Sequence, residues 1–158
     1  MPVSSDQMRK TMSFFATGVT IVTTAASDGT PYGLTVNAFT SVSLDPPLIL
    51  VCLDSRISGL QFFKEGGRFG VSVLSRRQRD LATHFATPGT DRTQADYEFG
   101  ETGVPLIKAA LARLECIVTT IHPGGDHAVL LASVERAEVL EEGEEPLLYY
   151  RSGYAGLK

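Results

Sequence analysis

Cysteine is scarce in this sequence: Cys52 and Cys116 are the only two in 158 residues. They form no Cys-x-x-Cys pair, which speaks against a zinc knuckle or a dithiol redox site. Each lies in an apolar run, VCL and ECIV, as a buried free thiol does, and free thiols suit a reducing, cytoplasmic location. A basic block is also missing. Lys and Arg number 14 against 18 Asp and Glu, the net charge is −4, and the short stretch Arg76, Arg77, Arg79 stands beside Asp80 as a solvated helix face would. Nucleic-acid binding is disfavoured on that ground. The apolar stretch FFATGVTIVTTAA (14–26) is dotted with Thr and Gly and falls short of the ~20 residues of a spanning helix. The N-terminus lacks the basic, apolar, small-residue order of a signal peptide, so no membrane association is expected.

The familiar catalytic signatures are absent too. There is no GxSxG, no HExxH, and no GxGxxG following a strand. A hydrolase would have to hide its triad, whereas a protein that borrows its chemistry from a bound cofactor need not show one. His122 and His127 flank a Pro-Gly-Gly-Asp turn, but no third ligand is evident and no metal site is expected.

What is present describes an ordinary globular domain spanning 1–158, with 43% hydrophobic and 20% charged residues. Met8, Met12 and Phe15 at helical spacing predict a leading helix over 6–16. VTIVTTAA (19–26) is β-branched and reads as a strand. Asp28-Gly29 signals a type I′ hairpin turn, which needs positive φ at both positions. LILVCLD (48–54) is a continuous apolar run, as in a strand buried on both faces. Ser55 is placed to cap a helix carrying Ile57, Leu60 and Phe63, stopped by Gly66-Gly67. RFGVSVL (68–74) is another strand, and Ser75 with Gln78 has capping-box spacing before a helix carrying Leu81, Ala82 and Phe85. Residues 87–104 read as one long loop, of the kind that is often functional. The stretches 109–121 and 127–140 read as a long hairpin, EEGEE as a solvated turn, and PLLYY as a last strand. Six or seven strands with two or three short helices point to a closed or nearly closed antiparallel barrel.

Two places could carry chemistry. In GLTVNAFTSVSLDPP (33–47) the even positions Leu34, Val36, Ala38, Thr40, Val42 and Leu44 are mostly apolar and the odd ones, Thr35, Asn37, Phe39, Ser41 and Ser43, mostly polar, a period-two strand. Its polar face suits either solvent or a flat heteroaromatic ligand that needs donors and acceptors. In Asp54-Ser55-Arg56-Ile57-Ser58 a strand runs into the predicted helix. Either Ser55 simply caps that helix and Arg56 lies on the surface, or the corner holds an anion with N–H groups, hydroxyls and a guanidinium. His84 sits near a helix end, where a cation suits the dipole. His127, just after a glycine turn, is either a surface hairpin residue or a positioned one.

With these residues in hand, the chain resembles the flavin reductase family over about 8–156. The matching stretches, in order, are FATGVTIVTT, GLTVNAFTSVSLDPPLILVCLD, RFGVSVLS, LATHFA, LECIV, GGDHAVLLASVE and PLLYYRSGY. The resemblance implies a mainly β, FMN-binding split β-barrel of Greek-key type with short flanking helices. It implies NAD(P)H:flavin oxidoreductase activity with FMN or FAD as cofactor and NADH or NADPH as co-substrate. It also implies a homodimer that supplies reduced flavin to a flavin-dependent monooxygenase. By position, Thr35, Val36, Asn37 and Ala38 match the segment along the flavin ring, and Ser41 a position near its ribityl chain or phosphate. Cys52, Leu53 and Asp54 match the second strand under the flavin, and Ser55, Arg56 and Ser58 its phosphate corner. His84 and Phe85 match residues near phosphate and ring, His127 the histidine beside the nicotinamide, and Tyr154 an aromatic at the same mouth. The alternatives are a flavin- or haem-binding split-barrel carrier or sensor without turnover, and a pyridoxamine-phosphate-oxidase-like enzyme.

Overall fold

A computed structural model describes residues 1–157. Twelve strands and two α-helices follow in chain order: α1 (Ser5–Met12), β1 (Thr17–Gly18), β2 (Thr20–Ala25), β3 (Pro31–Val36), β4 (Phe39–Leu44), β5 (Pro47–Asp54), β6 (Arg68–Val73), α2 (Arg79–Ala86), β7 (Tyr97–Phe99), β8 (Pro105–Ile107), β9 (Ala112–Gly124), β10 (His127–Val139), β11 (Leu148–Tyr150) and β12 (Gly153–Ala155). Seven strands form one antiparallel sheet in the order β3-β2-β6-β9-β10-β5-β4, with small sheets β1-β11-β12 and β7-β8 beside it. No helix among the described residues is long and apolar enough to cross a membrane.

The two edge strands of the large sheet, β3 and β4, are neighbours in sequence, with only Asn37 and Ala38 between them. Laid flat, six strand spacings would separate those edges by roughly 29 Å. The three chain steps from Val36 to Phe39 span at most about 11 Å. The sheet must therefore roll up. Thr20 Oγ1 donates to Val36 C=O at 2.6 Å on one side of the seam, and Cys52 N–H donates to Ala38 C=O at 3.0 Å on the other. β3 and β4 are not laddered to each other, so the expected closed or nearly closed barrel forms as a rolled, open sheet. Its inside is filled by Val22, Leu34, Val36, Ile49, Val51, Leu53, Phe69, Val71 and Leu130, among others.

Several expectations need correction. The Asp28-Gly29 turn has positive φ only at Gly29 (+84°), so it is not type I′. Gly29 N–H donates to Ala26 C=O and Ala26 N–H to Thr30 C=O, while Asp28 Oδ1 accepts from Thr30 N–H. The 33–44 stretch is two strands. Leu34 and Val36 point into the core, but beyond Asn37-Ala38 the inward side passes to odd positions, leaving Val42 and Leu44 exposed. β5 is buried on one face only: Ile49, Val51 and Leu53 are internal, whereas Leu48, Leu50, Cys52 and Asp54 are partly open. Strands covered on both sides are β2 and β6; Ile21 of β2 joins a second core with Val19, Leu74, Ala82, Phe85, Ile107 and Leu147.

Ser55 caps no α-helix. The chain makes bends and a single 3-10 turn (Leu60–Phe62) instead. Ile57, Leu60 and Phe63 do pack on the core, so their spacing is genuine, but Gly59 lies so close beneath Tyr32 that any Cβ there would collide with its ring. The Ser75/Gln78 capping box forms as expected and leads into α2. The 109–140 hairpin also forms, as β9 and β10.

The 87–104 segment is less loop-like than its composition suggests, since β7 pairs with β8. Its far end is gripped by Glu115, which is 5% exposed and accepts hydrogen bonds from Thr102 N–H, Thr102 Oγ1 and Glu101 N–H. Burial pushes the Glu115 carboxyl up, but these donors and Arg136 outweigh it and hold it below its ordinary 4.5. A carboxyl depressed by folding adds stability that is complete above its unfolded value and is lost as pH falls through the folded one. Thermal melts should therefore drop on acidification below about pH 4.5. Glu115→Gln should cost stability at neutral pH and flatten that acid slope; an unchanged slope would dismiss Glu115 as a contributor.

Candidate active site

The alternation of β5 directs Leu50, Cys52 and Asp54 outward onto one line. Leu50 and Cys52 form part of a groove of about 560 Å³, with Asn37, Ala38, Phe39 and Thr40 from the seam and β4. Met12, Phe15, Thr17 and Tyr149 close its other side. Burial pushes the Cys52 thiol up, so it is a neutral, weakly polar surface there. Thr17 Oγ1 is buried and has no hydrogen-bond partner among the described residues. A smaller cavity of about 190 Å³ adjoins, lined by Val19, Thr35, Asn37, Ala86, Tyr149 and Tyr154. Asn37 and Tyr149 line both spaces. The seam residue Asn37 thus stands where the two meet.

Beyond Asp54 the same face of β5 opens into a third cavity of about 770 Å³, walled by Tyr32, Asp54, Arg56, Ile57 and Ser58 on one side and by residues 88–93 on the other. Asp54 grips Arg56 in a fork, with Nε at 3.0 Å and Nη2 at 2.7 Å, and accepts its backbone N–H at 2.8 Å. The Arg56 side chain and then its N–H hold the Asp54 carboxyl well below the usual carboxylate range. His127 is opposite Asp54 in the β10–β5 ladder, and its Nδ1 lies 2.7 Å from Asp126 Oδ1. That contact keeps the Asp126 carboxyl low and directs the other ring nitrogen away from the turn.

The expected site residues fall into groups. Asn37, Ala38 and Cys52 line the groove, and Asp54, Arg56 and Ser58 the third cavity. Thr35 and Tyr154 share the small cavity, but the Thr35 hydroxyl is already committed to Ala82 C=O at 2.6 Å. Val36, Leu53 and Phe85 are buried at 5%, 1% and 1% exposure, so only the first two, through their backbones, border the open surface of a strand, and the Phe85 ring faces the interior. Ser41 and Ser55 are exposed and line none of the three spaces. His84 Nε2 lies 2.8 Å from Asp91 C=O and so braces the 88–93 loop from beneath. Sequence reasoning did not single out Thr17, Tyr32, Arg92 or Tyr149. Loop length was the one signal for Arg92, and the others come from strands remote in sequence.

Compared with known proteins, residues 12–158 match the family model described as flavin reductase like domain. A probable flavin reductase of Rhizobium meliloti is 41% identical over 148 residues, 93% of this chain, which spans about half (47%) of that relative's length. The flavin-dependent monooxygenase reductase subunit HsaB of Mycobacterium tuberculosis is 36% identical, covering 95% of this chain and 81% of its own. Among solved structures, the Streptomyces globisporus NADH:FAD oxidoreductase SgcE6, in complex with NAD and FAD fragments, superposes with a TM-score of 0.90 at 36% identity, covering 100% of this chain and 97% of its own. BorF, the flavin reductase component of a bacterial two-component tryptophan halogenase, gives 0.89 at 36% identity over 98% of each chain. A seam-lined groove on a rolled sheet, matched along nearly its whole length by sequence and by fold, establishes that this chain belongs to the flavin reductase family.

Proposed function

We propose that this chain is an NAD(P)H:flavin oxidoreductase that reduces FMN or FAD and hands the reduced flavin to a flavin-dependent monooxygenase. The observation that carries the reading is the groove along the Asn37-Ala38 seam. Its floor is apolar (Leu50, Cys52, Phe39), as a planar ring system requires, and its margins hold unspent hydrogen-bonding capacity. Thr17 Oγ1 lacks a partner among the described residues. The seam carbonyls of Val36, Asn37 and Ala38 are already bonded, to Thr20 Oγ1, Phe39 N–H and Cys52 N–H, but the Asn37 and Ala38 N–H groups donate to no partner among the described residues. The donor set therefore fits a flavin, which offers acceptors and one donor along its pyrimidine edge.

When bound, the flavin supplies the hydride-accepting centre. The chain's own contribution is to place and shield. Leu50, Cys52 and Phe39 exclude water from one ring face, Asn37 and the seam backbone orient the polar edge, and the Asp54–Ser58 corner secures the tail. His127, with its Nδ1 engaged by Asp126, is the residue we assign to orient the nicotinamide; no proton transfer is asked of it. Tyr154 lines the small cavity that Asn37 shares with the groove.

The rolled open sheet is taken as the split barrel of this family, with 1–158 as one domain in the cytoplasm. A homodimer is proposed from α1, which buries none of its residues, and from the exposure of Met12 and Phe15 on the groove and of Val42 and Leu44 further along β4. An exposed apolar set of that kind favours coverage by a second copy.

The test is direct. Purified protein mixed with FMN or FAD should oxidise NADH or NADPH and bleach the flavin under nitrogen. His127→Ala should raise the KM for the nicotinamide nucleotide while flavin affinity stays as it was. A yellow protein indifferent to both nucleotides would leave it a carrier, and an unaltered KM would remove His127 from the site.

A further inference from the structure

We infer that a fourth cavity, at the end of the sheet away from the seam and between residues 61–68 and 102–105, is a second ligand site, which takes a small organic anion with an apolar body. The inference goes beyond the flavin reading and does not depend on it.

Position comes first. The cavity holds about 490 Å³, a volume within the range of small-molecule sites. Thr20, at the start of β2, bonds the seam, whereas Thr24 and Ala25, at its end, line this cavity. Four residues of strand set Thr20 and Thr24 about 13 Å apart. The cavity shares no lining residue with the groove, the small cavity or the third cavity. Its floor is apolar. Val104 is 5% exposed and Pro105 is buried, with Phe62 and Ala25 half-buried beside them.

The charge around that floor has one sign. Two cations line the cavity, Lys64 and Arg68, and no Asp or Glu does, in a chain whose net charge is −4. The acids next to its walls in sequence are turned elsewhere: Glu65 Oε1 accepts Ile121 N–H at 3.0 Å, and Asp28 Oδ1 accepts Thr30 N–H at 2.9 Å. Four carbonyls of the walls are already bonded, Lys64 by Gly67 N–H, Gly67 by Val118 N–H, Val104 by Gly100 N–H and Pro105 by Thr23 Oγ1. The hydroxyls of Thr24 and Thr102 are spent on Arg68 C=O and Glu115. Arg68 gives Nε and Nη2 to Glu135, which balances its charge. Lys64 has no carboxylate partner among the described residues, so its ammonium is the unbalanced charge, and the Gln61 amide on the same wall adds a donor. A cation of this kind at the edge of a buried apolar floor suits a carboxylate carried on a hydrocarbon or aromatic body.

Benzoate is the probe and benzamide its neutral counterpart, titrated into the full chain with FMN present and followed by the backbone amide signals in NMR spectra. Benzoate should shift the amides of residues 61–68 and 102–104 saturably. It should bind roughly ten times more tightly than benzamide, the worth of one charge-assisted contact. Lys64→Gln should weaken benzoate binding by about the same tenfold and leave benzamide binding as it was. Lys64→Arg should retain the benzoate affinity, because it keeps the charge. Both variants should melt and oxidise NADH as the native protein does, which checks that they are folded. Absence of saturable shifts, shifts confined to residues 37–40 of the groove, equal affinity for benzoate and benzamide, or an unchanged benzoate affinity in Lys64→Gln would each overturn the assignment.

Discussion

Cys52→Trp should all but abolish flavin-dependent NADH oxidation while leaving the fold intact. Cys52 lies on the outward face of β5, between Leu50 and Asp54, and lines the groove beside Ala38 and Phe39. Its neighbours Val51 and Leu53 occupy the opposite, internal face, so an indole added at 52 enters the groove and not the core. Displacing a ring from near-attack geometry by even about 1 Å costs on the order of a hundredfold in rate. Complete occupation of the groove should cost at least as much. Cys52→Ser, of similar volume, should change the rate little. The measurements are steady-state NADH oxidation with FMN and thermal melting by circular dichroism. A Trp variant that turns over normally would show that the ring lies elsewhere.

Phe85→Ala is the largest expected loss of stability, about 3–5 kcal/mol. Phe85 is 1% exposed, and its ring lies so close to Gly33 that a Cβ there would come within 2.8 Å of Cε1. The ring also meets Tyr97 edge-on at 6.2 Å. It therefore locks α2 to β3 on one side and to the 87–104 segment on the other. Truncation leaves a cavity that these fixed backbones cannot close. For a chain of this size the melting temperature should fall by roughly 6–20 °C. Denaturant titration checks the figure. A loss under about 1 kcal/mol would mean that the ring is not a packing element and would return it to the flavin-facing role that family resemblance implies.

Much of the architecture was legible because it follows from local rules. The β-branched run of β2, the Ser75/Gln78 capping box and the long 109–140 hairpin all appeared where patterning and turn chemistry placed them. The failures share a cause. Around Ser55 the apolar spacing was read correctly, but close packing of Gly59 on Tyr32 overrode the helix it suggested. β5 read as buried on both faces because Leu50 and Cys52 are apolar, and composition cannot distinguish a core wall from a groove floor. Along 33–44 the alternation continues formally while the chain crosses from one sheet edge to the other and changes its inward side.

The sequence by itself determined the strand-rich class, several of the main strands and, through several short motifs in one order, the family. Those properties depend on residues close together along the chain. Only the tertiary structure decided which side chains share a cavity: that Arg56 is spent on Asp54, that Phe85 is internal, and that Arg92 lies across the cavity from the corner with no carboxylate partner among the described residues. The reason is geometric. Rolling the sheet across two residues brings β4, β5 and β11 around one groove, and α2 sets the 88–93 loop opposite Asp54, proximities that no local pattern encodes.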